Sequence, residues 1–171
     1  MADRKSNRLS RADWISAGFA ALAEDGPEAL KAERLARRLG TTKGSFYWHF
    51  KDVPDFHAGL LAAWEARADP PEGEDAPPEA RLRRLAAWLG RPDKQDIALR
   101  AWARAAGTVE RVDGARMDRL AELLNEIGLM RPELAQILYA TSVGMRSLSP
   151  DEAATGPEAM ETMVDMMIGS A

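Results

Sequence analysis

The chain has 171 residues, a net charge of −4, 46% hydrophobic and 29% charged residues, and no cysteine. That composition can build a core. It excludes disulfides and thiolate metal sites, and no apolar run approaches the roughly 18 residues needed to cross a bilayer. The charge is uneven: residues 1–51 carry +4 and residues 52–171 carry −8, so a nucleic-acid partner fits only the first third. The stretch Met1 to Arg11 is polar and basic and lacks the apolar segment of a signal peptide, so a cytoplasmic protein is expected.

In chain order nearly everything reads helical. Ala, Leu, Arg and Glu dominate, and alternating β-branched runs are missing. Ser10-Arg11-Ala12-Asp13 resembles a capping box and opens a first helix to about Glu24, stopped by Gly26-Pro27. A second helix spans about 31–39, with Leu35 and Leu39 on one face. Gly40 then supplies a turn, where a positive φ costs little. Thr41 or Thr42 can cap a short third helix ending near Trp48. A fourth begins at Lys51-Asp52-Val53-Pro54 and runs to about Ala68. Asp69 to Glu79, rich in proline and acid, is a loop or linker. Further helices follow at about 78–89, 93–106, 108–127, 132–148 and 157–168. The expected fold is all-α with about nine helices. A three-helix head, residues 1–51, precedes a larger helical body, residues 52–171.

The head carries the chemistry. A basic helix, a glycine turn and a short helix with small hydrogen-bonding residues and aromatics spell a helix-turn-helix. A helix fits the major groove with its N-terminal residues at base edges and phosphates. Lys43 can donate to guanine or phosphate, and Thr42 and Ser45 are short donors and acceptors. Gly44 permits close approach, and Tyr47 offers a hydroxyl and an apolar ring. His49 and Lys51 sit just past the helix, where phosphates run. Phe46 and Phe50, spaced i, i+4, face inward. Trp48 reads equally as a core aromatic or as part of the exposed face. Arg4, Lys5, Arg8 and Arg11 form a basic arm that either follows DNA or only solubilises the chain. Arg34, Arg37 and Arg38 touch either the DNA backbone or water.

These residues resemble the TetR/AcrR family of bacterial transcriptional regulators. The resemblance rests on Ala29-Leu30, Arg34-Leu35-Ala36, Leu39-Gly40 and, above all, Lys43-Gly44-Ser45-Phe46-Tyr47-Trp48-His49-Phe50-Lys51. It covers about the first third of the chain. It implies a homodimer on a palindromic double-stranded DNA operator, acting as a repressor, with a small-molecule effector held in the body. It also brings Lys31 and Thr41 into the DNA-facing set, beside Thr42, Lys43, Gly44, Ser45, Tyr47, Trp48, His49 and Lys51. Three positions depart from the family pattern. Lys31 stands where a phosphate-touching threonine is usual and can still serve phosphate. Glu33 stands where an arginine is frequent and would repel phosphate, though a carboxylate can accept from cytosine. Val53 replaces a usual lysine.

By the same resemblance, Trp64, Trp88 and Trp102 on the fourth to sixth helices, with Met117 and Leu120, would line an effector pocket. Trp102 is the leading candidate, although each of these side chains also suits a plain core. Ile137, Thr141, Gly144 and Met145, with Met160, Met163 and Met167 of the last helix, suit a self-complementary interface or an intramolecular core. No cofactor or metal is expected, because His49 and His57 are not at ligand spacing. No phosphate loop or nucleophile motif suggests an enzyme. The competing reading is a helical adaptor protein without sequence-specific DNA binding.

Overall fold

The structure, a computed structural model, describes residues 9–67, 75–104, 107–148 and 155–169. Arg4, Lys5 and Arg8 of the basic arm lie outside these, as do most of the acidic proline-rich loop and the Ser149-Pro150 break. The described residues form nine α-helices and no strand: α1 (Arg11–Asp25), α2 (Ala32–Arg38), α3 (Lys43–Phe46), α4 (Val53–Glu65), α5 (Pro78–Leu89), α6 (Lys94–Ala103), α7 (Thr108–Glu126), α8 (Pro132–Arg146) and α9 (Gly156–Gly169). A 3-10 turn, Pro27–Leu30, joins α1 to α2. No helix among the described residues is long and apolar enough to cross a membrane.

Local chemistry sets the helix ends. The Ser10 hydroxyl accepts from the Asp13 amide at 3.2 Å, and the Asp13 carboxylate accepts from the Ser10 amide at 2.7 Å, closing the capping box. Gly26 ends α1 at φ +75°, and Gly40 turns the chain between α2 and α3 at φ +65°, a region where a side chain would be strained. Asp52 and Asp93 cap α4 and α6 by accepting from backbone amides of their first turns. The third helix is shorter than its sequence suggests. Its α-helical part stops at Phe46, and Tyr47 to His49 continue as tight turns. Thr42 occupies the N-cap of α3 without a side-chain capping bond.

Two cores stabilise the molecule. The first fills the head and extends into the body. Phe46 packs edge-on against Trp14 (ring centroids 5.4 Å apart) and Phe56 of α4 (5.5 Å), with Phe50 alongside. Gly18 makes this closure possible, since a Cβ there would lie 2.6 Å from the Phe56 ring. Leu99 and Ala103 of α6 and Val112 of α7 complete this core, so body helices directly buttress the head. The second core joins α5, α7, α8 and α9 through Leu82, Leu85, Leu89, Leu120, Leu123, Leu138, Met160 and Val164. There Gly90 and Gly156 bring two backbones together: a Cβ on Gly156 would fall inside the carbonyl oxygen of Gly90.

Candidate nucleic-acid interface and the charged centre of the body

The first core positions α3. Phe46 and Phe50 are buried, and their i, i+4 spacing pins the segment to Trp14 and Phe56. The residues between them are thereby forced outward: Tyr47 is 48% exposed and Trp48 79% exposed. Trp is rarely left so open. Here Phe46 already occupies the inward direction, and the turn through residues 47–49 carries Trp48 to the surface. Tyr47 rests edge-on against Phe46 at 5.3 Å. Thr42, Lys43 and Gly44 are exposed, and Thr41, Ser45 and His49 are half-buried. Arg11 reaches across from α1: it donates to the His49 carbonyl at 2.7 Å, lies over the Phe50 ring and approaches Asp55 at 3.7 Å. The Lys51 amide donates to the Asp55 carboxylate at 3.0 Å. Arg11 and Asp55 thus hold the end of this exposed segment in place.

Charge on this face is partly masked. Lys43 Nζ donates to Glu33 at 2.7 Å, and Lys31 Nζ donates to Glu28 at 2.6 Å. The hydrogen bond from Lys43, then its charge, holds the Glu33 carboxyl below its ordinary value, and the Lys43 ammonium is raised in turn. Both pairs are exposed, so they are weak and screened by salt. Arg38 is engaged elsewhere, against Glu24 and Asp25 of α1.

In the body, the five side chains expected to line one pocket are divided between the two cores. Trp64 and Trp102 join the first, and Trp88, Met117 and Leu120 the second. Trp102 packs edge-on against His57 at 5.0 Å, linking α6 to α4. Burial pushes the His57 imidazole below its ordinary value, opposed in part by a hydrogen bond with the Leu30 backbone. Of the proposed interface residues, Met160 is fully enclosed within the subunit. Ile137 and Gly144 are exposed, and Thr141, Met145, Met163 and Met167 are half-buried. Leu148 and Met166 extend the exposed apolar surface.

The most unusual feature of the body was not anticipated from the sequence. Asp96 is buried, and its carboxylate accepts from Trp64 Nε1 at 3.0 Å, Arg100 Nε at 2.7 Å, Arg146 Nη1 at 2.8 Å and Arg116 Nη1 at 3.4 Å. Arg100 continues to Asp113 and to the Tyr139 hydroxyl, each at 2.6 Å, and that hydroxyl donates to Asp113 at 2.6 Å. Burial, the largest influence, raises the Asp96 carboxyl. The charges of Arg146, Arg100 and Arg116 outweigh it and hold the group at about 2. A sequence signal existed: each charge interrupts an apolar stripe. Arg116 sits between Val112 and Leu120, Arg146 continues Leu138-Ser142, and Asp96 precedes Leu99 and Ala103.

An all-α chain whose head presents a short helix and two exposed aromatics, braced by a separate helical body, is a helix-turn-helix DNA-binding protein in layout. Residues 15–52 match the family model described as bacterial regulatory proteins, tetR family. Solved structures agree over nearly the whole chain. A transcriptional regulator from Rhodococcus sp. Rha1 is 21% identical with a TM-score of 0.71, covering 95% of each chain. A second Rhodococcus protein, described as a TetR-family transcriptional regulator, is 21% identical at TM-score 0.70, covering 92% of this chain and 98% of the other. A TetR-family protein of Vibrio parahaemolyticus is 19% identical at TM-score 0.57, covering 90% and 97%. No curated protein sequence matches. Residues 15–52 of the head thus match the tetR-family regulatory model, and the chain as a whole shares its fold with these solved structures.

Proposed function

We propose that the protein is a ligand-responsive repressor that binds a palindromic operator as a homodimer. The observation that carries this reading is the outward presentation of Tyr47 and Trp48 on a segment clamped by buried Phe46 and Phe50. Such a rigid, exposed face suits a major groove. In this reading Thr42, Lys43, Gly44, Ser45 and Tyr47 meet the groove, and Lys31, Thr41, Trp48, His49 and Lys51 meet its walls and phosphates. The exposed side of α8 and α9, with Ile137, Gly144 and Met166, and with Leu148 just past α8, is the surface for a second copy. Residues 1–51 act as the reader and residues 52–171 as the sensing and dimerising part.

Selection from random duplex DNA followed by titration at several salt concentrations tests the reading. A palindromic site should emerge, bound by the dimer, with affinity falling steeply as salt rises, roughly a thousandfold or more between 50 and 200 mM if six or more phosphates are contacted. A flat salt dependence and no enriched sequence favour the adaptor reading. Light scattering should give a dimer at micromolar concentration, and a stable monomer removes the homodimer.

Glu33 gives a sharper expectation. It holds Lys43 at 2.7 Å and faces incoming phosphate with negative charge. Glu33→Ala should tighten binding to non-specific duplex about two- to fivefold in a gel-shift titration, the order expected for releasing one exposed pair. Weaker binding by this variant would instead give Glu33 a direct role in base recognition.

A further inference from the structure

Between α6 and α8 lies a cavity of about 220 Å³ lined by Asp96, Ile97, Arg100, Ala101, Arg104, Val143, Arg146 and Ser147. Its charges do not balance. Arg100, Arg116 and Arg146 share two carboxylates, Asp96 and Asp113. Four donors already surround the Asp96 carboxylate, so it has no acceptor site left for Arg146 Nη2. Arg146 is 5% exposed, and its Nη2 is buried with no hydrogen-bond partner among the described residues. Its other nitrogens are engaged by the Ser142 carbonyl and Asp96. An unsatisfied buried donor is costly and demands an explanation, more so when it belongs to a cation. Burial, and the neighbouring charges of Arg116 and Arg100, push the Arg146 guanidinium below its ordinary value in spite of Asp96. That nitrogen has almost no accessible surface, so an anion in the cavity meets it when the Arg146 side chain, which lines the wall, turns towards the open space, and such an anion would relieve the imbalance. The remaining wall is apolar, from Ile97, Ala101 and Val143. The volume is below the roughly 300–1,000 Å³ of sites for drug-sized ligands and equals about seven waters at liquid density.

We propose that this cavity binds a small organic carboxylate, its charge taken by Arg146 with Arg100 and Arg104 beside it, and its short apolar body lying on Ile97, Ala101 and Val143. This rests on the ligand-responsive reading for its role as effector site, while the binding itself does not depend on that reading. The site adjoins both functional directions of the molecule. Val143 precedes the exposed Gly144 of α8 by one position, Ser147 precedes the exposed Leu148 just past the end of α8, and α6 leads to the head through Leu99 and Ala103.

Calorimetry on the full chain with benzoate, its uncharged analogue benzamide and inorganic phosphate tests the proposal. Benzoate should bind once per chain and raise the melting temperature, with benzamide and phosphate each at least about tenfold weaker, the factor expected for losing a charge-assisted bond or the apolar contact. Arg146→Lys, which keeps the charge but loses the guanidinium fork, and Val143→Phe, which fills the cavity while keeping every member of the ion pairs, should each weaken benzoate at least about tenfold. Melting curves report folding of both variants. Benzamide binding as tightly as benzoate, phosphate binding more tightly, unchanged benzoate affinity in folded Val143→Phe, or no heat at 10 mM benzoate would each overturn the assignment. A parallel gel shift with benzoate separates the two readings: binding without DNA release leaves the carboxylate site standing and removes its effector role.

Discussion

On the proposed reading, Lys43→Ala combined with Tyr47→Ala should weaken operator binding at least about a hundredfold, because each good contact in the groove is worth about 1–3 kcal/mol and a homodimer would lose every contact twice. Helix content, melting temperature and dimer mass stay those of the parent. That separation is expected because both side chains are exposed and neither fills the head core. Tyr47 only leans on Phe46, which keeps Trp14, Phe50 and Phe56 as neighbours. Gel-shift titration on the selected operator, beside thermal denaturation, measures both arms. Sequence-specific affinity retained by the folded double variant would remove α3 as the reading element.

The second large effect concerns stability. Asp96→Ala leaves Arg100, Arg116 and Arg146 facing one another in the interior, with Trp64 Nε1 deprived of its acceptor. Removing one partner of a buried ion pair typically costs about 3–5 kcal/mol, a large part of the roughly 5–15 kcal/mol that stabilises a domain. Urea unfolding followed by circular dichroism should show the midpoint collapse, and an unchanged midpoint would mean that the arginines find other partners. The wild-type chain should also show an acid limb with a defined sign. The Asp96 carboxyl is lowered from 3.8 to about 2 in the folded state. Its contribution is therefore complete above about pH 4 and is lost as pH falls towards 2. Asp96→Asn, which cannot titrate, should flatten stability across that window.

The linear order of the helices was readable because its signals are local. Ser10 with Asp13, Asp52 and Asp93 as caps, Pro78 and Pro132 in first turns, and Gly26, Gly40 and Gly128 at positive φ act within a few residues of where they stand. The inward facing of Phe46 and Phe50 followed from helical spacing in the same way. Trp48 was ambiguous by that logic, since residue type favours burial. The packing of Phe46 against Trp14 and Phe56 left it outside. Glu33 was recognisable as an odd residue beside phosphate, yet its pairing with Lys43 required the turn at Gly40 to bring α2 and α3 together.

In the body, periodicity marked apolar faces without saying which neighbour each face meets. Met160 belongs to a stripe that suits an interface equally well, and its enclosure follows from α9 lying on α5, where Gly90 and Gly156 allow the backbones to touch. The five side chains grouped as one pocket lie in two cores because the long α7 serves both. Asp96 gathers Arg100 from its own helix, Arg116 from α7 and Arg146 from α8. Residue types and 3.6-residue spacing were sufficient for the helices, the turn and the inward facing of Phe46 and Phe50, since those depend on neighbours in the chain. The buried charge centre and the cavity beside it depend on three helices meeting at one point, and the energy of that meeting is a sum of long-range contacts that no local pattern encodes.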